Sequence, residues 1–248
     1  MNKLSRQYIN KLAVVTGASQ GLGFAFLECL LEKGYTVVAT SRDISTVSLT
    51  HPRLHWRQVD LRLDQDIGNL SKYVSEIGLP VEILANNAAI NGEGVSEGKY
   101  QNSSKLGSIS RSAMLEMFEI NSIAPLLLTQ ELLRHFDTKR AFVINVSSSR
   151  ASQNDEFQNL DGNYGYRASK AALNMITFSS AIELPDGTST FSVHPGGVTS
   201  RMNPKGKLSA RHQARKILRI VSNWNNELNG KFLNYDGAEY DFMGFRAK

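Results

Sequence analysis

The sequence predicts an α/β fold in which a doubly wound parallel sheet carries helices on both faces. Short continuous apolar runs indicate strands that are buried on both sides, because half-buried strands would alternate apolar and polar residues. These runs alternate with helical patterns from one end of the chain to the other. No linker, internal repeat or low-complexity segment divides the 248 residues, so we expect one domain over 1–248.

Each short apolar run predicts a strand, and each longer pattern with helical periodicity predicts a helix. In chain order, the expected strands cover residues 12–16, 36–40, 55–59, 81–85, 141–146, 190–194 and 231–235. The expected helices between them cover residues 22–33, 64–77, 112–136, 164–183 and 209–223. Pro125 is expected to kink the long third helix, because proline lacks the N–H that the helix ladder uses. Polar, glycine- and serine-rich stretches at 91–110, 150–163 and 199–207 follow strands and are expected to form the rim of a site.

Composition is that of an ordinary globular chain and argues against several classes of function. Hydrophobic residues make up 41% of the chain and charged residues 21%. The net charge of +5 is dispersed, so we expect no nucleic-acid partner, and no apolar stretch is long enough for a membrane partner. The histidines lack the spacing of a metal site, so no metal is expected. The single cysteine, Cys29, and an N-terminus without an apolar signal core predict a cytoplasmic protein.

A glycine-rich turn after the first strand is the first candidate binding site. Residues 16–23 read Thr-Gly-Ala-Ser-Gln-Gly-Leu-Gly and lie between a predicted strand and a predicted helix. Glycines allow close backbone approach, and the amides at a helix start bind a pyrophosphate. A purely structural turn is the alternative. The candidate cofactor-binding residues here are Gly17, Ser19, Gln20, Gly21, Leu22 and Gly23.

The end of the second strand bears on the choice between NADP(H) and NAD(H). A site for NAD(H) needs an acidic residue for the ribose diol, whereas a site for NADP(H) needs an arginine or hydroxyl for the 2′-phosphate. Ser41 and Arg42 suit the phosphate, and Asp43 is expected in the following turn. NADP(H) is therefore the preferred cofactor and NAD(H) a possible one. Alternatively, Arg42 is only a surface charge.

Tyr166 and Lys170 are the candidate catalytic pair. Residues four apart share one face of a helix, so the ammonium group can lie beside the phenol. A nearby cation favours the phenolate, which lowers the pKa of a tyrosine towards the working range of a general acid-base. An ordinary surface pair on a helix is the alternative reading of this spacing.

The ordered set of motifs resembles the short-chain dehydrogenase/reductase family over about residues 10–237. The motifs are the glycine turn, residues 60–61, 86–89, 143–148, 166–170 and 194–196, and Asn121. Residues 166–174 and 229–237 are most similar to the C-factor and sniffer-type carbonyl-reductase branch. The resemblance implies a Rossmann-type domain with seven strands in the order 3-2-1-4-5-6-7.

The resemblance also implies a catalytic tetrad and further cofactor contacts. Tyr166 would be the acid-base, Lys170 would lower its pKa and bind the nicotinamide ribose, and Ser148 would orient the substrate oxygen, with Ser149 as the alternative serine. Asn121 would hold a helix bulge and a water in the proton relay. The implied cofactor-binding residues outside the glycine turn and the second strand are Asp60, Leu61, Asn87, Ala88, Ala89, Tyr166, Lys170, Pro195, Gly196, Val198 and Ser200.

Several positions depart from the family pattern, and they concern the substrate more than the cofactor. Ser148 lies 18 residues before Tyr166, several more than usual, and a looped-out insertion can absorb the excess. Ala89 stands where a glycine is usual. Gly197 and Arg201 stand where this branch usually has Trp and Asp. Arg201 either attracts an anionic substrate or is a solvated loop charge.

The expected function is that of an NADPH-dependent oxidoreductase that reduces an aldehyde, ketone or quinone to an alcohol, or catalyses the reverse reaction. Its partner would be a small-molecule carbonyl or alcohol substrate. The alternative is a non-catalytic NADP(H)-binding signalling or redox-sensor protein of the C-factor type. The helices at 112–136 and 164–183 resemble the pair that forms dimers in the family, so a homodimer or homotetramer is expected.

Overall fold

The computed structural model describes residues 10–91, 105–153 and 162–240, and these residues form a seven-stranded parallel sheet. The strand order is β3-β2-β1-β4-β5-β6-β7, as predicted. The fold class and the sheet order are therefore confirmed. The strands are β1 Leu12–Val15, β2 Thr36–Ser41, β3 Leu54–Gln58, β4 Val81–Asn86, β5 Ala141–Val146, β6 Thr188–His194 and β7 Phe232–Asn234.

Within the described ranges, six α-helices and several short turns connect the strands. The α-helices are α1 Gly21–Lys33, α2 Asp64–Ile77, α3 Arg111–Phe118, α4 Ala124–Leu132, α5 Tyr164–Glu183 and α6 Ala210–Ser222. Short 3₁₀ turns lie at Leu133–His135, Ser149–Ala151 and Asn226–Leu228. Predicted and observed ends differ by one or two residues at most strands and helices, which is the usual ambiguity of element ends.

The long helix predicted over 112–136 is helical throughout 111–135, but a π-helical turn at Glu119–Ile123 divides it into α3 and α4. This turn contains Asn121, where the family resemblance implied a helix bulge. Within this turn the N–H of Ala124 donates to the carbonyl of Glu119, five residues earlier. Pro125 follows in the first turn of α4, where the missing N–H of a proline is tolerated. The expected irregularity is thus a π-turn before Pro125.

Apolar side chains on the two faces of the sheet build two separate clusters. In β1, Ala13 and Val15 pack on the face covered by α1 and α6, whereas Leu12 and Val14 pack on the face covered by α2 and α4. Continuous apolar strands give this result because successive side chains point to opposite faces. The two layers fix the carboxyl ends of the strands relative to one another.

A chain of buried amides crosses the sheet near those carboxyl ends. The side-chain amide of Asn86 in β4 donates to the side-chain oxygen of Asn145 in β5 at 2.8 Å. Asn145 in turn donates to the hydroxyl of Thr177 in α5 at 2.9 Å, and that hydroxyl donates to the carbonyl of Leu173. Each buried polar group in this chain therefore has a partner, as stability requires.

Candidate active site

A cavity of about 560 Å³ opens at the carboxyl ends of the strands. Open α/β sheets bind ligands at this edge. With the exception of Gly23, every residue predicted to bind the cofactor lines the cavity. Ser148, Tyr166 and Lys170 line it too, so the structure brings the predicted cofactor and catalytic residues together.

The glycine turn at residues 16–23 packs against the end of β4, and its glycines have distinct roles. Gly17 has a φ of 62°, and a Cβ there would lie 2.8 Å from the Cα of Ala88. A Cβ at Gly23 would overlap the carbonyl oxygen of Gly17, so Gly23 allows the start of α1 to approach the turn closely. Gly23 itself does not line the cavity. The amide of Asn87 closes the arrangement by donating to the carbonyls of Thr16 and Gly17 at 3.0 and 3.1 Å.

The first amides of α1 are not capped by a side chain. Gln20 is the N-cap residue and makes no side-chain capping bond. Free amides at a helix start, together with the helix dipole, favour an anion such as a pyrophosphate. Ser19 and Gly21, at this helix start, both line the cavity.

The end of β2 presents Ser41 and Arg42 to the cavity, whereas Asp43 does not line it. Ser41 ends the strand, and both Ser41 and Arg42 line the cavity. The carboxylate of Asp43 accepts hydrogen bonds from the N–H and the hydroxyl of Ser45 at 2.8 and 2.7 Å. Asp43 therefore belongs to the following turn, as expected, and its carboxylate is used locally.

Among the described residues that line the cavity, Asp60 has the one carboxylate, and this carboxylate forms an ion pair with Arg62. Arg62 donates to Asp60 through Nε at 2.9 Å and also through Nη2, and it reaches Glu116 in α3 at 3.1 Å. The hydrogen bond from Arg62 keeps the pKa of Asp60 below its usual range. The other charged lining residues are all basic: Arg42, Arg150, Lys170 and Arg201.

Tyr166 and Lys170 lie one turn apart on α5 and are both buried, with 9% and 2% of their surface exposed. The ammonium group of Lys170 donates to the carbonyl of Val146, at the end of β5, at 2.7 Å. Burial lowers the pKa of Lys170 to about 7, because a charged amine is poorly solvated there. This hydrogen bond anchors Lys170 to the strand that leads to the serines.

Asn121 lies in the π-turn and connects three parts of the site without lining the cavity. Its amide donates to the carbonyl of Ile90 at 2.9 Å and to the hydroxyl of Ser169 at 3.0 Å. Its side-chain oxygen accepts the N–H of Ile90 at 2.8 Å. Asn121 thereby ties the π-turn to the segment after β4 and to α5, and its neighbour Ile120 reaches the cavity.

The serines that follow β5 all line the cavity. The N–H of Ser147 donates to the carbonyl of Val193 at 2.8 Å, so Ser147 still pairs with β6. The hydroxyl oxygen of Ser148 accepts the N–H of Arg150 at 3.2 Å. Accepting this bond leaves the hydroxyl hydrogen of Ser148 able to donate to a bound molecule.

The segment after β6 lines the cavity with Pro195, Gly196, Val198 and Ser200 and then folds back on itself. The N–H of Thr199 donates to the carbonyl of Leu208, and the N–H of Leu208 donates to the carbonyl of Gly197. This closed loop carries Arg201 into the cavity lining, and a Cβ at Gly197 would meet open space. The departures at Gly197 and Arg201 therefore lie at the site itself.

Sequence reasoning missed several lining residues, of which His194 is the most informative. The others include residues adjacent to predicted ones, such as Thr40, Ile90 and Met202. His194 stands immediately before Pro195 in the motif at 194–196, and its place at the end of a strand that enters the site is the signal that the sequence offers. Its contact with the serine segment depends on the pairing of β5 with β6, which the motif alone does not contain.

The described ranges contain no cluster of three or more His, Cys, Asp or Glu side chains that could hold a metal ion. Across the same ranges, none of the helices combines the length and the apolar character needed to span a membrane.

Comparison with known proteins assigns the chain to a family. The sequence profile of the short chain dehydrogenases matches residues 11–209. The chain belongs to the short-chain dehydrogenase family. Membership confirms the resemblance drawn from the motifs and the predicted NAD(P)-dependent oxidoreductase class.

The curated relatives of this chain include a protein named C-signal and a reductase. The C-signal protein of Myxococcus xanthus is 35% identical over 166 residues, which cover 64% of this chain and 92% of that protein. L-xylo-3-hexulose reductase of Hypocrea jecorina is 32% identical over 217 residues, covering 78% of this chain and 68% of the relative.

Solved structures of carbonyl reductases share the fold over nearly the whole chain. The NADPH-bound carbonyl reductase from chicken fatty liver superposes with a TM-score of 0.81 at 26% identity, covering 94% of this chain and 99% of that one. The carbonyl reductase Sniffer of D. melanogaster gives a TM-score of 0.82 at 24% identity, covering 94% of this chain and 100% of that one, a likeness that concerns the fold alone.

Proposed function

We propose that the protein is an NADPH-dependent carbonyl reductase that converts an aldehyde, ketone or quinone to an alcohol, or catalyses the reverse reaction. The observation that carries the proposal is one cavity lined by Ser148, Tyr166 and Lys170 at one part and by the glycine turn, Ser41 and Arg42 at another. The substrate would be a small carbonyl or alcohol compound.

The lining residues fit a nicotinamide dinucleotide, and they favour the phosphorylated form. The uncapped start of α1 suits the pyrophosphate, and Gly17, where a Cβ would meet Ala88, lets the turn lie close to the end of β4. Arg42 and Ser41 suit a 2′-phosphate, whereas the carboxylates of Asp43 and Asp60 are engaged by Ser45 and Arg62. NAD(H) is the second choice. When bound, this cofactor supplies or accepts the hydride.

In the proposed reaction, the residues of the chain handle the substrate oxygen and its proton. Tyr166 donates its phenolic proton to the carbonyl oxygen as negative charge develops there, and Ser148 donates a second hydrogen bond. Lys170 in its charged form favours the phenolate that remains on Tyr166. Asn121 holds the π-turn against α5, which bears both residues. In the oxidative direction, Tyr166 takes the proton from the alcohol.

The similarity to the C-signal protein favours a second candidate, a non-catalytic NADP(H)-binding signalling or redox-sensor protein. Turnover separates the two, since both bind the cofactor. A panel of aldehydes, ketones and quinones is offered with NADPH. Oxidation of NADPH is followed by its near-ultraviolet absorbance, which the oxidised cofactor lacks, against blanks that contain each substrate without protein.

Tyr166→Phe is the decisive variant and Tyr164→Phe its matched control. Tyr164 lies two residues earlier on α5 and is 43% exposed, whereas Tyr166 is buried in the cavity lining. We expect Tyr166→Phe to abolish turnover while NADPH binding persists. Tyr164→Phe should retain the turnover of the wild-type protein. Absence of turnover in the wild-type protein across the panel would favour the sensor, and full activity of Tyr166→Phe would refute the proposed acid-base.

We also propose that the protein assembles as a homodimer or homotetramer through the helices of this site. Large apolar side chains are exposed on the π-turn with α4, namely Ile123 and Leu126, and on α5, namely Met175, Phe178 and Ile182. Apolar side chains exposed together on packed helices mark an association surface. We further propose that residues 1–248 form a single domain. The free thiol of Cys29, which is buried, supports a cytoplasmic location.

A further inference from the structure

His194 is the last residue of β6, and its ring connects that strand to the serine segment after β5. The Nδ1 atom of His194 accepts the backbone N–H of Ser149 at 3.1 Å. The ring lines the cavity and also packs edge-on against Tyr240, with 5.7 Å between the ring centroids. The proposed reaction does not use this side chain.

The hydrogen bond determines the protonation state of the ring. An N–H group can donate to Nδ1 only if that nitrogen carries no proton, so the neutral ring has its hydrogen on Nε2. Burial lowers the pKa of His194 to about 4, which keeps the ring neutral at neutral pH. Nδ1 is therefore a permanent acceptor under ordinary conditions.

The backbone on both sides of Ser148 is fixed to the end of β6. On one side, the N–H of Ser147 donates to the carbonyl of Val193 at 2.8 Å. On the other side, the N–H of Ser149 donates to the ring of His194. The first bond belongs to the sheet, whereas the second exists only because a side chain supplies the acceptor where the strand pairing has ended.

We propose that His194 is a positioning residue that holds Ser148 for its hydrogen bond to the substrate oxygen, by accepting the N–H of Ser149. This inference rests on the proposed reductase function. A hydroxyl displaced by about 1 Å can lower a rate by about 100-fold, so an anchor one residue away has a measurable effect. The ring acts through Ser148 and does not itself touch the reacting atoms.

The test compares His194→Leu with His194→Asn. Leucine removes the acceptor, while the side-chain oxygen of asparagine occupies nearly the position of Nδ1 and can accept the same N–H. We expect kcat to fall about 10- to 100-fold in the leucine variant and to return to within about threefold of wild type in the asparagine variant. The Kd for NADPH, measured by its fluorescence, should change by less than about twofold in both. His212→Leu, at an exposed histidine on α6, is the matched control.

A double variant shows whether the effect passes through Ser148. If it does, Ser148→Ala combined with His194→Leu should be no slower than Ser148→Ala alone, because non-additivity marks residues that act as a unit. Multiplying effects, an asparagine variant as slow as the leucine variant, or a parallel loss of NADPH binding would each overturn the proposal.

Amide hydrogen exchange distinguishes failure of this inference from failure of the proposed function. If the wild-type protein turns over no substrate, the proposed function fails, but the anchor can still be measured on the folded protein. The Ser149 amide should then be protected in the wild-type and asparagine proteins and exchange faster in the leucine variant. Equal exchange in all three would refute the anchor itself.

Discussion

Replacing Lys170 with methionine should change how the stability of the cofactor-free protein depends on pH. Burial lowers the pKa of Lys170 from 10.5 to about 7 in the folded protein, whereas the unfolded chain keeps the ordinary value. Between pH 7 and 10.5 the unfolded chain therefore holds a proton that the folded chain has released. Raising the pH through this window favours the folded state, and below about pH 7 both states hold the proton.

The expected magnitude follows from the size of that pKa change. A fall of about 3.5, from 10.5 to about 7, corresponds to about 5 kcal/mol in the free energy of unfolding over the whole window. Between pH 7.5 and 9.5 the gain is roughly 3 kcal/mol, at about 1.4 kcal/mol per pH unit. The methionine variant lacks this pH-dependent contribution to the free energy of unfolding. It also loses the hydrogen bond to the Val146 carbonyl, which costs about 1–3 kcal/mol at every pH in the range.

Urea denaturation of both proteins without cofactor, from pH 6.5 to 9.5 at one protein concentration, measures the difference. The stability of the wild type minus that of Lys170→Met should rise with pH across this range. Lys72→Met, at an exposed lysine on α2, is the control and should show no such trend. A wild-type minus Lys170→Met difference that stays constant would refute the reasoning, because it would mean that the folded protein keeps Lys170 charged.

Three further predictions concern the cofactor and the assembly. Gly23→Ala should weaken NADPH binding at least tenfold, because the methyl group of the alanine would overlap a backbone carbonyl. Gly68→Ala, where the methyl group would meet open space, should leave NADPH binding unchanged. Equal affinities of the two variants in fluorescence titrations would contradict this prediction. Arg42→Ala should raise the Kd for NADPH about 10- to 100-fold and leave that for NADH nearly unchanged, whereas equal losses would remove Arg42 from the phosphate site. Phe178→Glu, at a side chain 56% exposed, should lower the mass measured by light scattering, and an unchanged mass would exclude this surface.

The sheet and most of the site could be predicted because they depend on local patterns. Continuous apolar runs gave the strands and their order followed from the family resemblance, while the motifs at the strand ends gave the lining residues. Gly23 shows the limit of such patterns. Its spacing indicates a ligand-binding turn, yet its function is to let α1 approach a neighbouring carbonyl, and only the folded backbone reveals that contact.

The features that could not be predicted depend on contacts between distant parts of the chain. The π-turn is held by Asn121, whose partners at Ile90 and Ser169 lie 31 and 48 residues away. A helical pattern with Pro125 predicts a disturbance but not its form, and the helix bulge at Asn121 was expected only from the family resemblance. The bond from Ser149 to His194 spans 45 residues and depends on the pairing of two strands. Neither partner signals the other in the sequence.

The amides of Asn86 and Asn145 also guard the alignment of the strands during folding. The two residues are direct partners across β4 and β5. A shift of one residue would turn one amide to the opposite face and leave both buried without a partner, at about 1–3 kcal/mol each. Apolar neighbours in these strands would tolerate the same shift more easily. Misaligned chains are therefore penalised at the edge from which Asn87 and Ser147 lead into the site, so that correct folding and correct assembly of the site are selected together.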